Sequence, residues 1–171
     1  MVEILSECWP VARKEHTCDY CRCKIEKGTK YYKQTLKYED TIYDWKCHGE
    51  CKDLTSDLDM WDNADDGVGP YEFGDCVNEF LLDRYYDEAL DDIREDVDRL
   101  SRFEQVMLIY KDWDSPETKL WRMKHDFNQR RWNGPRYKKD GTRETPVEWK
   151  ARIDAEWAEI ERFAESIKAN K

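Results

Sequence analysis

A chain of 171 residues is long enough for one substantial core, or for a small metal module with a helical domain beside it. Charged side chains make up 40% and the mean hydropathy is −1.05, while the longest strongly apolar run, Val106–Tyr110, is far too short to span a bilayer. Aromatic residues at 13%, including eight Trp and ten Tyr, supply large buried areas per residue and exclude a disordered chain.

The net charge of −10 is uneven. Residues 1–48 hold nine Lys/Arg against eight Asp/Glu, residues 49–104 five against nineteen, and residues 115–171 fourteen against ten. The opening Met1–Trp9 has acids where a signal peptide has a basic start and an apolar run. The seven cysteines are an odd number, and Cys8, Cys18, Cys21 and Cys23 crowd into sixteen residues. A reducing cytoplasm and metal binding are expected rather than a disulfide framework.

In chain order, residues 1–17 read as a lead-in strand or loop, with Ile4, Leu5, Trp9 and Val11 covering a finger built from the next segment. Cys18-Asp-Tyr-Cys21 has the spacing of a metal-binding knuckle. Tyr31–Tyr38 and Thr41–Trp45, separated by Glu39-Asp40, predict a β-hairpin. Cys47–Leu54 predicts a short helix presenting His48 and Cys51 one turn apart on one face. Cys18, Cys21, His48 and Cys51 are thus four donors for a structural Zn2+, which fill a tetrahedral site and leave no position for water. Cys47 competes with His48 as a ligand and Cys23 with Cys21; Cys8 and Cys76, without partner spacing, read as small core residues.

Residues 55–75 read as an acidic connector, whose Asp57, Asp59, Asp62, Asp65 and Asp66 lack the spacing of a calcium loop. Asp75 then caps a helix from Cys76, with Leu82, Tyr86, Leu90, Ile93, Val97 and Leu100 as its apolar stripe. Ser101 with Glu104 forms a capping box for a second helix carrying Phe103, Val106, Met107 and Tyr110. Ser115-Pro116 starts a third, with Leu120, Met123 and Phe127 inward, ended by Asn133-Gly-Pro. Thr145-Pro-Val-Glu148 starts a last one running to about Ala169. The expected class is α+β: a treble-clef zinc module over 1–54 (hairpin plus short helix), the connector, and a mainly helical bundle of about four helices over 76–171.

The spacing C-x2-C-x26-H-x2-C, with Trp45 three residues before His48, resembles zinc fingers of the poly(ADP-ribose) polymerase type and, more loosely, LIM modules over residues 16–52. That resemblance implies a structural zinc and a treble-clef-like fold. The loop residues with which polymerase-type fingers bind broken DNA have no match here, so that function does not carry over. The wider string Arg13–Cys21, Lys27-Gly28 and Tyr43-Asp-Trp45 looks like small uncharacterised proteins of phages and bacterial mobile elements, which implies a microbial or phage-infected cytoplasm and no particular activity.

The charges form two candidate surfaces. On the expected helix, Asp83, Asp87, Asp91 and Glu95 form one i,i+4 row, and Glu88, Asp92 and Asp96 a second. Such rows read as a solvated face, as a face neutralised by Arg130, Arg131, Arg136, Lys138 and Lys139, or as an imitation of nucleic-acid phosphates offered to a nucleic-acid-processing enzyme. Lys24, Lys30, Lys33 and Lys37, interleaved with tyrosines, have the composition of a nucleic-acid contact. No catalytic triad, phosphate-binding glycine loop or second metal cluster is evident in the sequence. The expectation is a non-enzymatic zinc protein acting through protein–protein contact, in its sharpest form an anti-defence inhibitor from a mobile element. The contrasting expectation is a nucleic-acid-binding finger.

Overall fold

The computed structural model describes residues 2–63, 67–132, 135 and 141–170. The chain separates into two compact units, Met1–Lys111 and Asp112–Lys171. The stretches read from sequence as finger, connector and first helices all fall within the first unit.

In the first unit an antiparallel sheet of order β1-β4-β5 is formed by β1 (Val2–Cys8), β4 (Tyr32–Tyr38) and β5 (Thr41–Cys47). The β4–β5 pair is the expected hairpin, with Tyr38 opposite Thr41. Its turn residue Glu39 sits at φ 53°, a region that costs a side chain with a Cβ. Glu39→Gly is expected to raise stability by about 0.5–1 kcal/mol, read as an upward shift of the thermal midpoint. β1 lies at the sheet edge and is exposed along its whole length, with Ile4 55% and Leu5 45% exposed, so these residues do not cover the finger as expected. Trp9 does pack inward at one edge, against Tyr32 with centroids 5.0 Å apart. A Cβ on Gly49 would meet the Trp9 ring at 3.1 Å, which explains the glycine. Cys8 is exposed rather than a core residue.

A two-stranded pair, β2 (His16–Thr17) with β3 (Lys24–Ile25), carries the Cys18–Cys23 loop. The helix α1 (Gly49–Asp57) follows β5, and a single 3-10 turn spans Met60–Asn63. Asp65 and Asp66 lie outside the described residues.

The next helix corrects the sequence reading. α2 spans Pro70–Tyr85, beginning six residues before the expected start. Pro70 takes the first helical position, where its missing N–H costs nothing, and the Gly69 N–H donates to the Glu72 carboxylate at 3.0 Å. Its buried stripe is Phe73, Val77, Phe80 and Leu81; Leu82, Tyr86 and Leu90 are 42%, 46% and 54% exposed. The helix expected to continue to Leu100 stops at Tyr85. A tight hairpin of β6 (Tyr86–Asp87) and β7 (Asp92–Ile93) and the short α3 (Glu95–Asp98) take its place. The acids themselves account for the break. Asp87 Oδ1 accepts from the Ala89 N–H at 2.9 Å, Asp91 adopts φ 53°, and Asp91 Oδ1 accepts from the Tyr86 hydroxyl at 2.5 Å. These local bonds compete with the helix, while like charges at i,i+4 would weaken it.

The helix α4 (Arg102–Asp112) starts at the expected capping box. The Ser101 N–H donates to Glu104 at 2.8 Å, and the Glu104 N–H to the Ser101 hydroxyl at 3.3 Å. Val106 and Ile109 are fully buried, whereas Met107 is 43% exposed. The Tyr110 hydroxyl donates to Glu50 O at 3.2 Å and Asp57 Oδ2 at 3.0 Å, tying α4 to α1. Burial first, then Asp57, hold its phenol pKa above the ordinary value. That stability is fully present below the unfolded phenol pKa of about 10 and is lost as pH rises from there through the raised folded value. Tyr110→Phe is expected to cost about 1–2 kcal/mol at neutral pH and to flatten the alkaline fall in stability, measured by denaturant titration across pH.

The second unit holds α5 (Pro116–Trp132) and α6 (Pro146–Ala169). Both starts match expectation: the Thr118 N–H donates to the Ser115 hydroxyl at 3.1 Å, and Thr145 and Glu148 form a reciprocal capping box with Pro146 at the first turn. Phe127 meets Trp157 at 5.2 Å, and Arg152 bridges Glu144 and Glu156 at 2.9 and 3.1 Å. Phe127 is buried, while Leu120 and Met123 are half-buried. Asn133 and Gly134 lie outside the described residues. Among the described residues, the stretch expected as a bundle supplies α2, α3 and α4 to the first unit and α5 and α6 to the second. Among the described residues no helix is long and apolar enough to cross a membrane.

Candidate metal centre

The loop between β2 and β3 places the first two candidate ligands. The Arg22 N–H donates to Cys18 O at 3.0 Å and the Cys18 N–H to Cys23 O at 2.9 Å, with Arg22 at φ 61° closing the turn. Asp19 pins the loop to β5: its N–H donates to Lys46 O at 2.7 Å, and the Lys46 N–H donates to its carboxylate at 2.6 Å. The other two ligands flank the start of α1, His48 as the residue before the helix and Cys51 in its first turn.

The four come together. Cys18 Sγ, Cys21 Sγ, Cys51 Sγ and a His48 ring nitrogen lie within 4.8 Å of one another, and all four residues are buried. His48 Nδ1 is 3.4 Å from Cys21 Sγ and 3.8 Å from Cys51 Sγ. A tetrahedral zinc site, with Zn–S about 2.3 Å and Zn–N about 2.0 Å, has edges of about 3.5–3.8 Å. The opposite ring nitrogen, Nε2, is 3.1 Å from the Lys24 carbonyl. A carbonyl only accepts, so Nε2 carries the proton and the Nδ1 lone pair faces the sulfurs, the usual outer bond of a metal-ligating imidazole. Hydrogen bonds from the Cys21 and Cys51 thiols hold the Cys18 pKa far below its ordinary value, and bonding to Cys18 and Cys21 holds that of Cys51 far above. A buried set of three sulfurs and one imidazole is compatible with a structural zinc ion.

The two alternative ligands are set aside by geometry. Cys47 is fully buried but pairs with Tyr32 in the sheet and is not one of the clustered donors; burial pushes its thiol pKa up. Cys23 Sγ instead donates to Cys21 O at 3.5 Å.

The residues proposed from sequence for a partner surface do not share one helix. Asp83 is on α2, Asp87 and Asp92 are in the β6–β7 hairpin, Asp91 is in its turn, and Glu95 and Asp96 are on α3. Arg94 pairs with Asp96 at 2.6 Å and Arg99 with Glu95. Arg130 pairs with Glu156 of its own unit at 3.4 Å, and Arg136, Lys138 and Lys139 lie outside the described residues. Of the alternative nucleic-acid set, Lys24 pairs with Glu15 and Lys33 with Asp44, each at 2.9 Å, while Lys30 lies over the Trp9 ring at 5.9 Å. Lys37 is exposed on β4, opposite Glu3 and Ile42.

Sequence reasoning missed the residues that enclose the ligands. Tyr20, within the knuckle, stacks on Phe73 of α2 at 5.1 Å and meets Trp45 edge-on at 5.2 Å. Phe103 of α4 stacks on the His48 ring at 3.8 Å. The capping box at Ser101 located the helix that delivers Phe103, but nothing local joins it to a histidine 55 positions earlier. No protein-family model, curated protein or solved structure matches the chain.

Proposed function

We propose that this chain is a non-enzymatic binding protein, stabilised by a structural zinc at Cys18, Cys21, His48 and Cys51, that acts through contact with another protein in a microbial or phage-infected cytoplasm. Four protein donors complete a tetrahedral sphere and leave no site for substrate or activated water, which favours a structural over a catalytic metal. The knuckle, hairpin and following short helix are the parts of a treble-clef finger, and we assign the module to that type.

The observation that supports a contact surface is the stretch Asp83–Asp98, where eight acids stand against two arginines on the end of α2, the β6–β7 hairpin and the short α3. Asp91, Asp92, Glu95 and Asp96 are all exposed. A compact acidic surface of this kind steers and selects a basic partner. The partner we propose is a nucleic-acid-processing enzyme whose basic groove this surface occupies. Because the acids are divided among the end of α2, the β6–β7 hairpin and α3, the fit rests on a local cluster rather than on a regular helical row. Direct nucleic-acid binding is the weaker reading, since Lys24 and Lys33 already face carboxylates.

Tagged protein from nuclease-treated bacterial lysate, washed at rising salt, is expected to retain a basic nucleic-acid-handling enzyme at low salt only. Added DNA should displace it. The combined variant Asp92→Lys, Glu95→Lys, Asp96→Lys should lose it, and Lys30→Ala with Lys37→Ala should keep it. A salt-resistant partner, or capture of nucleic acid lost with the lysine variant, would reject the proposal.

A further inference from the structure

The first turn of α4 reaches the metal centre from a distant part of the chain. The Phe103 ring covers the His48 imidazole, with centroids 3.8 Å and planes 21° apart.

His48 is held in plane by two contacts, the Lys24 carbonyl at Nε2 and Phe103 on its face. Outer contacts of this type tune metal affinity by about 10- to 100-fold.

Resting on the zinc reading above, we propose that Phe103 is a positioning residue of the metal centre: its ring fixes the plane of the ligating imidazole, and metal binding and the docking of α4 are one event. A finger is thereby completed by a helix that begins 51 residues after its last ligand, Cys51.

The test uses the full chain, with Co2+ uptake followed by its absorbance and Zn2+ affinity measured in competition with a chromophoric chelator. Phe103→Leu is expected to bind zinc about tenfold more weakly, and Phe103→Tyr, which keeps the ring, within about threefold of the parent. In the parent, zinc should also slow amide exchange at Val106 and Ile109 of α4. Circular dichroism of the metal-saturated variants separates loss of fold from loss of affinity, and Phe103→Tyr reports on the ring even if Phe103→Leu unfolds. Parent-like affinity in Phe103→Leu, or equal weakening in Phe103→Leu and Phe103→Tyr, overturns the role given to the ring. A parent chain that takes up neither metal overturns the zinc reading itself and this proposal with it.

Discussion

On the zinc reading proposed above, stripping the metal from the purified chain is expected to unfold the first unit as a whole. The far-ultraviolet signal of α1, α2 and α4 should fall together with the near-ultraviolet signal of Trp45. The knuckle has no core of its own: between Cys18 and Cys23 the one large side chain turned inward is Tyr20, and the loop is otherwise held by backbone bonds and Asp19. Without a metal, nothing covalent joins that loop to α1. Structural zinc contributes about 10–16 kcal/mol of apparent binding energy in finger peptides, whereas whole domains are stable by about 5–15 kcal/mol. If zinc is bound, losing it is expected to remove an energy at least comparable to the whole stability of the unit. Cys51→Ala should reproduce the effect at any zinc concentration, because it removes a fully buried ligand at the start of α1. An unchanged melting curve after complete metal removal, verified by elemental analysis, would refute the structural role.

Phe73→Ala is expected to be nearly as damaging, costing about 3–5 kcal/mol, the usual range for a buried phenylalanine. Phe73 is fully buried and lies face to face with Tyr20 of the knuckle. Truncation leaves a cavity under the residue that separates Asp19 from Cys21, so zinc affinity should fall along with stability. Phe73→Leu, which keeps most of the volume, should recover more than half of both. A variant that loses stability while binding zinc as tightly as the parent would show that α2 supports the core but not the centre. Thermal unfolding and chelator competition on the same samples distinguish the two.

The contrast between these two predictions marks what the sequence could disclose. Cys18, Cys21, His48 and Cys51 were legible because coordination imposes short, fixed spacings that survive in one dimension. The starts of α4, α5 and α6 were legible for a related reason: Ser101 with Glu104, Ser115 with Pro116, and Thr145 with Glu148 act within a single turn. Phe73 was hidden inside a stretch that reads as an acidic connector, because Gly67-Val-Gly-Pro70 signals a turn and equally suits the entry to a helix. The stripe Leu82, Tyr86, Leu90 had helical spacing by coincidence. What decided the backbone there was hydrogen bonding by Asp87 and Asp91, to which a count of apolar residues is blind. Phe103 on His48 had no signature at all, since stacking between distant segments leaves no periodicity.

The bond from His48 Nε2 to residue 24 ends on a main-chain oxygen, not on the lysine side chain. Exchange of that lysine for almost any other amino acid leaves the acceptor in place, so a side-chain scan would score position 24 as indifferent to the metal. The contact is written into the path of the backbone through the β2–β3 pair. It would persist through sequence drift that erased every resemblance at that position, and only a change in the strand pairing itself would remove it.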